Sequence, residues 1–526
     1  MPVPSASGAP PARAAYRWEI PARRTDRRLG ALVFLAGFGS LGTEIAASRL
    51  IAPTFGSSTV VWANLIGVIL ASLALGYWLG GRLADRFPSP VLLGWIVVGA
   101  AALVAVAPFL SRPFLDLVAG RLDEASVGVA IGSFFAVVLV FAPAAVLLGT
   151  VAPFAIRLSV VDVATAGAVA GRLYALSTIG SLLGTFLPAL VLIPLLGTQR
   201  TLLAIAAVLA IAGSLLAGPR GLVVAGAAVL LAVVPPGSLG SSVLDERESR
   251  YQSIRVVQRE DGSRVLELNE GIAVHSVWRG DTVLTGGEWD APLAVPSLLG
   301  RTLRRVAILG NAGGTTARAL GTYYPEADVV GVELDPEVTD VGRRWLGLGD
   351  NPRLTVVTAD ARPFLRRSTD RFDLIVVDAY RQPYVPFYLA TREFFRLVRE
   401  RLAPGGIVVL NVATVPGDDR LVDGVAGTLA TEIRQVLRWP ALRFNTFVVG
   451  LEQPLDERTI ERRLARGPRL LAPLRDLLER DGVAVTPASR PWTDDRAPVE
   501  WATDRMILGY AAGGRRESFD YLPTRP

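Results

Sequence analysis

The sequence predicts two parts of different kinds: a multi-pass α-helical membrane domain, then a doubly wound α/β domain with a small β-rich lead-in. Of the 526 residues 51% are hydrophobic, and the mean hydropathy of +0.40 is high for a soluble protein. Apolar runs are concentrated before about residue 236, and charged residues with strand-like alternation follow. We therefore expect a disordered basic tail (1–29), a transmembrane domain (30–236), a linker with the lead-in (237–300) and the α/β domain (301–526).

The first half contains seven apolar segments that are long enough, or nearly long enough, to cross a hydrocarbon core of ~30 Å. They are the segments 30–52, 58–80, 91–111, 127–152, 173–196, 200–217 and 221–236, the last of them short. Two glycine pairs, Gly76 with Gly80 and Gly180 with Gly184, have the spacing that lets helix backbones approach closely in lipid. We expect these glycines at helix contacts.

Arginines predict the side of the membrane on which the chain starts. They occur in the tail, after the second apolar segment and between the fourth and the fifth, at Arg23, Arg24, Arg27, Arg28, Arg82, Arg86, Arg157 and Arg172. The positive-inside rule assigns these loops, and with them the N-terminus, to the cytoplasm. Seven crossings would then place the C-terminal half outside, whereas six would return it to the cytoplasm. For the C-terminal half to lie in the cytoplasm, either the short segment 221–236 does not cross fully or the chain has a further crossing.

Two ionisable residues, Glu44 and Arg49, lie within the first apolar segment. A charged group at membrane depth is costly and usually faces a partner or a cavity. They are candidate membrane-site residues for a substrate or a lipid headgroup. The alternative is that they pair structurally, or that Arg49 extends to the membrane surface.

Composition excludes several kinds of site. The chain has no cysteine, which excludes disulfides, thiolate metal sites and a cysteine nucleophile. The single histidine, His275, excludes histidine-cluster metal sites and Ser-His-Asp catalysis, and we interpret it as structural or solvated. We expect no metal. All 54 basic residues are arginine, yet no basic stripe with interleaved aromatics accompanies the net charge of +6, so nucleic acid is not an expected partner.

A βαβ series in the second half predicts a nucleotide-type site. A buried strand (306–309) runs into Gly310, Gly313 and Gly314, a helix follows, and a second strand ends on Glu333. Glycines at such a turn let a ligand approach the backbone, and an acidic residue about 20 positions later suits the two hydroxyls of a ribose. The turn does not match G-x-G-x-x-G, so NAD is the weaker interpretation.

Two further carboxylates end the next two strands of the series. Asp360 closes the third predicted strand, where it can bind an adenine amine or simply cap the following helix. Asp378 closes the fourth. Consecutive strand ends that each deliver a carboxylate are the geometry expected where a doubly wound sheet binds a nucleoside.

The motifs YQSI, VAILGNAGGT, VVGVELDPEV, TADA, IVVDAY and LAPGGIVVLNV follow one another between residue 250 and about 412. In this order they resemble the spermidine synthase (polyamine aminopropyltransferase) family, whose fold is a class I methyltransferase-like (Rossmann-type) sheet with a small N-terminal β-domain. The helical half, with SLGTEIAASRL, and the tail motif TDDRAPVEW (493–501) resemble its membrane-fused branch, the fused transporter-like/spermidine synthase proteins. With that branch the resemblance covers the chain from about residue 30.

The resemblance implies a role for each matching position. Gln252, Glu333, Asp360 and Ala361 match the positions that bind the nucleoside, and Asp378 matches the proton acceptor. The implied co-substrate is decarboxylated S-adenosylmethionine, the implied acceptor is putrescine or another small amine, and a homodimer is compatible with the family. Because the co-substrate is made in the cytoplasm, we expect the catalytic half there, attached to a multi-pass segment in the cell membrane.

The chain departs from the family where the amines are bound. Ala312 replaces an Asp of the Gly-rich turn, Arg381 replaces an Asp three residues after the proton acceptor, and EWD (288–290) replaces Tyr-His-Glu. Asp290 and Arg381 are therefore the candidate substrate residues. A guanidinium near the pocket would repel a dication by ~1–4 kcal/mol. An enzyme acting on polyamines should bring acidic residues such as Asp290 or Glu288 into the pocket.

Two alternatives therefore stay open. One is a transferase that uses S-adenosylmethionine itself and acts on an anionic or lipid-linked acceptor, for which Arg381 would be a partner. The other is a transporter or sensor whose C-terminal half binds an adenosyl ligand without catalysis.

Overall fold

The computed structural model describes residues 24–55, 59–122, 127–233, 242–269, 274–380 and 385–512. Its first half is helical throughout. The helices are α1 (Arg24–Phe55), α2 (Thr59–Arg86), α3 (Pro90–Leu122), α4 (Val127–Ala136), α5 (Ala142–Gly149), α6 (Val151–Ser159), α7 (Ala166–Leu187), α8 (Ile193–Leu196), α9 (Thr198–Ala217) and α10 (Leu222–Leu231). Turns of π-helix, Val137–Phe141 and Pro188–Leu192, join α4 to α5 and α7 to α8.

Glycines set the closest helix contacts in this half. A Cβ on Gly184 of α7 would lie 2.2 Å from the Phe38 carbonyl oxygen of α1, and a Cβ on Gly76 of α2 would lie 2.3 Å from the Val146 carbonyl oxygen of α5. Any larger residue would push these backbones apart. The glycine pairs thus lie at helix contacts, as predicted from their spacing.

Six helical segments of the described chain are long and apolar enough to cross a membrane. They are Arg27–Ala52, Val61–Arg86, Pro90–Ser111, Gly132–Ser159, Val163–Leu196 and Thr198–Ala217. They correspond to the first six predicted segments. The seventh is the shorter apolar helix Pro219–Leu231.

The second half begins with the expected β-rich lead-in. Strands β1 (Val243–Glu248), β2 (Ser253–Gln258), β3 (Arg264–Leu268) and β4 (Val274–Trp278) form an antiparallel sheet in sequence order. Apolar side chains of β2 and β3, such as Ile254 and Leu266, pack against Val338 and Val341. The lead-in is thereby fixed to the α/β domain.

An eight-stranded sheet forms the centre of the α/β domain. Its strands are β5 (Arg305–Leu309), β6 (Asp328–Glu333), β7 (Leu354–Thr358), β8 (Phe372–Val377), β9 (Leu402–Ala413), β10 (Gln435–Trp439), β11 (Asn445–Leu451) and β12 (Val483–Ala484). The order is β12-β10-β11-β9-β8-β5-β6-β7, parallel from β9 to β7 and antiparallel beyond β9. The predicted fold class is confirmed.

Helices cover both faces of this sheet. They are α11 (Thr315–Tyr323), α12 (Pro336–Trp345), α13 (Ala361–Arg367), α14 (Arg392–Arg401), α15 (Arg420–Leu429), α16 (Glu457–Leu464), α17 (Ala472–Asp481) and α18 (Val499–Ala512). Along β5, Val306 and Ile308 belong to one core and Ala307 and Leu309 to the other. Because β8, β5, β6 and β7 are parallel neighbours, their carboxyl ends meet at one edge of the sheet.

Candidate active site

The Gly-rich turn after β5 uses all its amides within the protein. The amides of Gly310 and Asn311 donate to the Val332 carbonyl, and the amide of Gly314 donates to the Asn311 carbonyl. The Ala312 amide donates to Glu333 Oε2 at 2.8 Å, and the amide of Gly313 donates to the Ser276 hydroxyl at 2.8 Å. These five amides are therefore satisfied within the protein.

Backbone geometry explains Gly310. Its φ is +91°, and a Cβ there would lie 2.4 Å from the Asp378 carbonyl oxygen. Only glycine allows the chain after β5 to pass this close to the chain after β8. Ala312 also has a positive φ, +44°, in a region that non-glycine residues rarely occupy.

Glu333, at the end of β6, is buried and doubly hydrogen-bonded. Oε2 accepts from the Ala312 amide, and Oε1 accepts from the Asp335 amide at 3.0 Å. Burial raises the pKa of Glu333 to about 7, against the opposing effect of these two amides. Each carboxylate oxygen has a second lone pair, so Glu333 retains the capacity to accept hydrogen bonds from a ribose.

Gln252 reaches the same corner from the lead-in. Its side-chain amide donates to Asp335 Oδ2 at 3.3 Å, and the Ser249 hydroxyl donates to the same oxygen at 2.5 Å. Asp335 in turn caps α12 by accepting from the Glu337 amide. The structure therefore brings Gln252 and Glu333 together through Asp335, for which no sequence pattern predicts this role.

Asp360, after β7, both caps a helix and faces the next loop. Oδ1 accepts from the Arg362 amide at 3.0 Å, and Oδ2 accepts from the Tyr388 hydroxyl at 2.9 Å. Ala361 is the first residue of α13 and is buried. The capping role considered for Asp360 is thus observed, and its role towards an adenine stays a prediction.

The tail motif TDDRAPVEW fixes this corner from outside. The Arg362 guanidinium forms a bidentate pair with Asp494, with distances of 2.8 and 2.6 Å. The Thr391 hydroxyl also donates to Asp494, at 2.7 Å. The motif therefore connects the start of α13 with the start of α14.

Asp378, after β8, is oriented by a chain of amides. Asn445 donates to the Asn411 side-chain oxygen at 3.0 Å, and Asn411 donates to Asp378 Oδ1 at 3.1 Å. Burial raises the pKa of Asp378 to about 6. Nearby, the Tyr380 hydroxyl donates to the Asn411 carbonyl at 2.7 Å. Asn411 thus holds one oxygen of Asp378, and within the described part of the chain no hydrogen bond to the other oxygen is observed.

Two carboxyl groups line one small cavity at this edge of the sheet. Asp378 and Glu288 line it together with His275 and Asn311, and its volume of about 30 Å³ suits one or two groups of the size of water. The pKa of Glu288 is raised to about 8, mainly by burial and to a smaller extent by the nearby charges of Asp378 and Asp290. Two carboxyl groups in one buried cavity favour a cationic ligand.

Polar atoms of this cavity have spare hydrogen-bonding capacity. Among the residues that the structure describes, His275 Nε2 and both side-chain polar atoms of Asn311 are buried without a hydrogen-bond partner. Burial lowers the pKa of His275 to about 4, so the imidazole is neutral at physiological pH. Composition predicts only a structural or solvated role for His275, since no sequence motif indicates this position.

Of the two predicted substrate residues, the structure describes Asp290 but not Arg381. Asp290 is fully buried, and its carboxylate accepts from the Thr285 and Gly286 amides and from the Thr285 hydroxyl at 2.8 to 3.2 Å. Asp290 stabilises the turn at Thr285 and Gly286 and does not line the cavity. Glu288, two residues earlier, lines it instead. Arg381 lies outside the described residues.

The membrane-site candidates lie apart from this cavity. The Arg49 guanidinium donates to the Arg250 carbonyl at the start of the lead-in. Arg49 thus contacts the second half of the chain, which agrees with the structural alternative. Glu44 is half-buried on α1, and its role stays a prediction.

Two other features do not compete with the candidate site. No cluster of three or more potential metal-ligating residues occurs in the described part of the chain. A larger cavity of about 650 Å³ is lined by Arg301, Arg462, Arg463 and Arg466 and by residues that precede β5 and β6. It therefore lies at the opposite edge of the sheet from the strand-end carboxylates.

Comparison with known proteins assigns the α/β domain. Residues 293–426 match the family model of the spermine/spermidine synthase domain. We call the α/β domain together with its lead-in the synthase domain, after this similarity. The resemblance to the spermidine synthase family is thereby confirmed. This synthase domain includes the Gly-rich turn, Glu333, Asp360 and Asp378.

Curated relatives of the synthase domain share part of their length with this chain. A probable polyamine aminopropyl transferase of Bifidobacterium longum is 37% identical over 188 residues, 35% of this chain and 41% of the relative. A polyamine aminopropyltransferase of Vibrio vulnificus is 30% identical over 199 residues, 35% of this chain and 64% of the relative. The crystal structure of a probable spermidine synthase from Corynebacterium glutamicum aligns with a TM-score of 0.38 and 20% identity, over 52% of this chain and 96% of that one.

Proposed function

We propose that this protein is a membrane-anchored aminopropyltransferase that transfers the aminopropyl group of decarboxylated S-adenosylmethionine to putrescine or another small amine. The observation that carries the proposal is the cavity that Glu288 and Asp378 line together. An amine acceptor is a cation in solution, and this cavity favours a cation. The names of the relatives point to the same chemistry.

The proposed reaction assigns one task to each carboxyl group. The amine nitrogen attacks the carbon beside the sulfonium, the carbon–sulfur bond breaks, methylthioadenosine leaves, and the proton of the amine passes to Asp378. With a pKa of about 6, Asp378 is largely ionised at pH 7 and can accept this proton. The pKa of Glu288 is about 8, and an ammonium group beside it would favour its carboxylate form.

The nucleoside would occupy the adjoining strand ends. Glu333 would accept from the ribose hydroxyls, and Asp360 with Ala361 would meet the adenine, as the family resemblance implies. Gln252 and Asp335 would stabilise the position of Glu333 from the lead-in side. Alignment of nucleophile and leaving group would supply most of the rate enhancement.

The helical half would attach the synthase domain to the cell membrane. Six helices long and apolar enough to cross support this anchoring, and large apolar side chains such as Leu182, Phe186 and Leu190 are exposed on the outer face of the bundle. Lipid is the partner that these surfaces require. A homodimer stays a prediction.

The test is product analysis with the purified full-length chain. With decarboxylated S-adenosylmethionine and putrescine, we expect methylthioadenosine and an aminopropylated amine in equal amounts. Asp378→Asn should reduce turnover by ~10²- to 10⁴-fold while preserving methylthioadenosine binding, because it removes only the base. Asp481→Asn, a change of a surface carboxylate, is the matched control and should be neutral.

Two variants and a second co-substrate separate the alternatives. Glu288→Gln should raise the KM for putrescine, and Arg381→Asp should lower it because it exchanges repulsion for attraction. Turnover with S-adenosylmethionine only, abolished by Arg381→Asp, would instead indicate an anionic acceptor. Nucleoside binding without turnover of any tested amine would indicate a sensor or transporter.

A further inference from the structure

The directions of the helices show on which end of the bundle the synthase domain lies. Helices α1 and α7 run parallel, because Phe34 packs on Gly180 and Phe38 on Gly184. Helix α9 runs antiparallel to α1, since Gly39 packs on Leu209 and Gly42, further along α1, packs on Ile205, earlier in α9. The N-terminal ends of α1 and α7 therefore lie with the C-terminal end of α9.

The second helix and the α4–α6 segment complete this arrangement. Asn64 donates to Ser133 at 2.9 Å near their starts, and Arg157 pairs with Asp85 at 2.9 Å near their ends. Helix α2 and the α4–α6 segment therefore run parallel to each other. Both run antiparallel to α1, because α2 begins shortly after the C-terminal end of α1. We call the end with Asp85 and Arg157 the N-terminal end of the bundle, and the other the distal end.

The lead-in contacts the distal end. Glu248 of β1 accepts from the Thr198 amide at 2.9 Å and from the Thr198 hydroxyl at 2.6 Å, at the first residue of α9. Arg49, near the end of α1, donates to the Arg250 carbonyl. Both Thr198 and Arg49 belong to the distal end, so the synthase domain begins there.

Helix α10 is the path by which the chain returns. Gly221 lies against Ser214, near the end of α9, whereas the Arg200 guanidinium donates to the Ala232 carbonyl at 3.3 Å, near the start of α9. The chain thus runs back along α9 over most of its length of ~30 Å. Exposed Val223, Leu230 and other apolar side chains of α10 give it a lipid-type outer face.

A short seventh crossing is physically acceptable. The helix Pro219–Leu231 spans ~20 Å at 1.5 Å per residue, less than the ~30 Å of a hydrocarbon core. Local thinning of the bilayer accommodates such a mismatch at a modest cost. If α1 to α9 cross the membrane, the chain after Ala217 has to cross once more to bring Glu248 to Thr198.

Charge then assigns the two ends. The positions of the arginines on the helices divide them between the two ends. Eight lie at the N-terminal end: Arg24, Arg27, Arg28, Arg82, Arg86, Arg157, Arg172 and Arg220. Four lie towards the distal end: Arg49, Arg112, Arg121 and Arg200. The positive-inside rule places the first group in the cytoplasm. We propose that the chain crosses the membrane seven times and that the synthase domain faces the extracytoplasmic side.

This placement differs from the expectation that the catalytic half faces the cytoplasm. That expectation rests on where the adenosyl co-substrate is made, whereas the proposal rests on helix directions and arginine positions. It has a chemical consequence, because both the adenosyl ligand and the amine acceptor then have to be present on the extracytoplasmic side. The reaction chemistry proposed for the cavity is unchanged.

The absence of cysteine from the chain allows a direct test. Val161→Cys introduces a single thiol between α6 and α7, and Leu470→Cys introduces one in the synthase domain; the two parent side chains are 85% and 70% exposed. Intact spheroplasts would be treated with a membrane-impermeant maleimide, with lysed spheroplasts as the control for accessibility. Neither measurement depends on activity, so the outcome is independent of the proposed function.

We expect Leu470→Cys to be labelled in intact spheroplasts, and Val161→Cys only after lysis. Labelling of both variants only after lysis would place both positions in the cytoplasm and overturn the proposal. Labelling of Val161→Cys in intact spheroplasts would also overturn it. If either single variant fails to accumulate, Val163→Cys and Arg469→Cys provide the same two positions.

Discussion

Burial favours the neutral form of three carboxyl groups in the active-site region. It raises the pKa of Glu288 to about 8, of Glu333 to about 7 and of Asp378 to about 6. Glu333 is partly compensated by two amides, and Asp378 by Asn411. Glu288 is stabilised only by its own backbone amide. Its ionised form therefore has the largest free-energy cost of the three. A bound cation would remove that penalty.

The stability of the protein should therefore fall with pH because of Glu288. Between the unfolded pKa near 4.5 and the folded pKa of about 8, the folded state retains a proton that the unfolded state has lost. The stabilisation is thus complete below pH 4.5 and is lost as the pH rises to about 8. Glu288→Gln cannot titrate, and it should raise the free energy of unfolding relative to wild type by about 1–3 kcal/mol more at pH 8 than at pH 5.

Thermal unfolding of the detergent-solubilised chain at the two pH values measures this difference. Glu400→Gln, a change of an exposed carboxylate on α14, is the matched control and should give the same small shift at both. A Glu288→Gln shift independent of pH would show that Glu288 is ionised in the folded protein.

At the scale of elements, the structure depends on contacts between segments far apart in sequence. The tail motif fixes the start of α13 through Asp494 and Arg362, next to Asp360. In the helical half, the carbonyl of Phe38 lies where any side chain on Gly184 would have to go. The first contact supports a binding site, and the second supports helix packing.

Loss of the tail contact should weaken nucleoside binding without changing the chemical step. The Arg362 side chain is 13% exposed, so the pair with Asp494 is worth ~1 kcal/mol, and Asp494→Asn should weaken methylthioadenosine binding by about fivefold. Asp495→Asn changes the neighbouring exposed carboxylate and serves as the control. The pH profile of turnover should stay the same, because Asp378 is untouched. A shifted profile would mean that the motif acts on the base and not on Asp360.

Helix packing offers a second comparison between matched positions. Gly184→Leu should separate α1 from α7 and lower the melting temperature by several degrees, as expected for a cost of ~1–3 kcal/mol from overpacking. Gly167→Leu, on the same helix but with no atom within 4 Å of its Cβ position, should be neutral. Equal melting temperatures for the two variants would show that the α1–α7 contact is not as close in the membrane.

At the scale of the whole molecule, the two halves meet where the nucleoside corner begins. Arg49 and Thr198 of the bundle contact Arg250 and Glu248, and the next residues lead to Gln252. The corner with Asp335 and Glu333 therefore starts only two residues from a membrane helix contact. Strands β1 and β2 therefore connect the bundle to this corner.

The sequence by itself determined the fold class, the turn at Gly310 and the three strand ends Glu333, Asp360 and Asp378. These follow from local patterns, because apolar periodicity, glycines and strand-end carboxylates are properties of short segments. Glycine spacing likewise predicted the close contacts at Gly184 and Gly76.

Only the tertiary structure decided which residue of EWD faces the cavity and where the chain goes after α9. Glu288 and Asp290 are two positions apart, and the turn at Thr285 consumes the carboxylate of Asp290. The direction of α10 depends on the contact between Arg200 and Ala232, which are 32 residues apart. Hydropathy measures the length of a segment but not its neighbours. Which groups share a cavity, and which end of a bundle a domain occupies, are set by long-range packing that no local pattern contains.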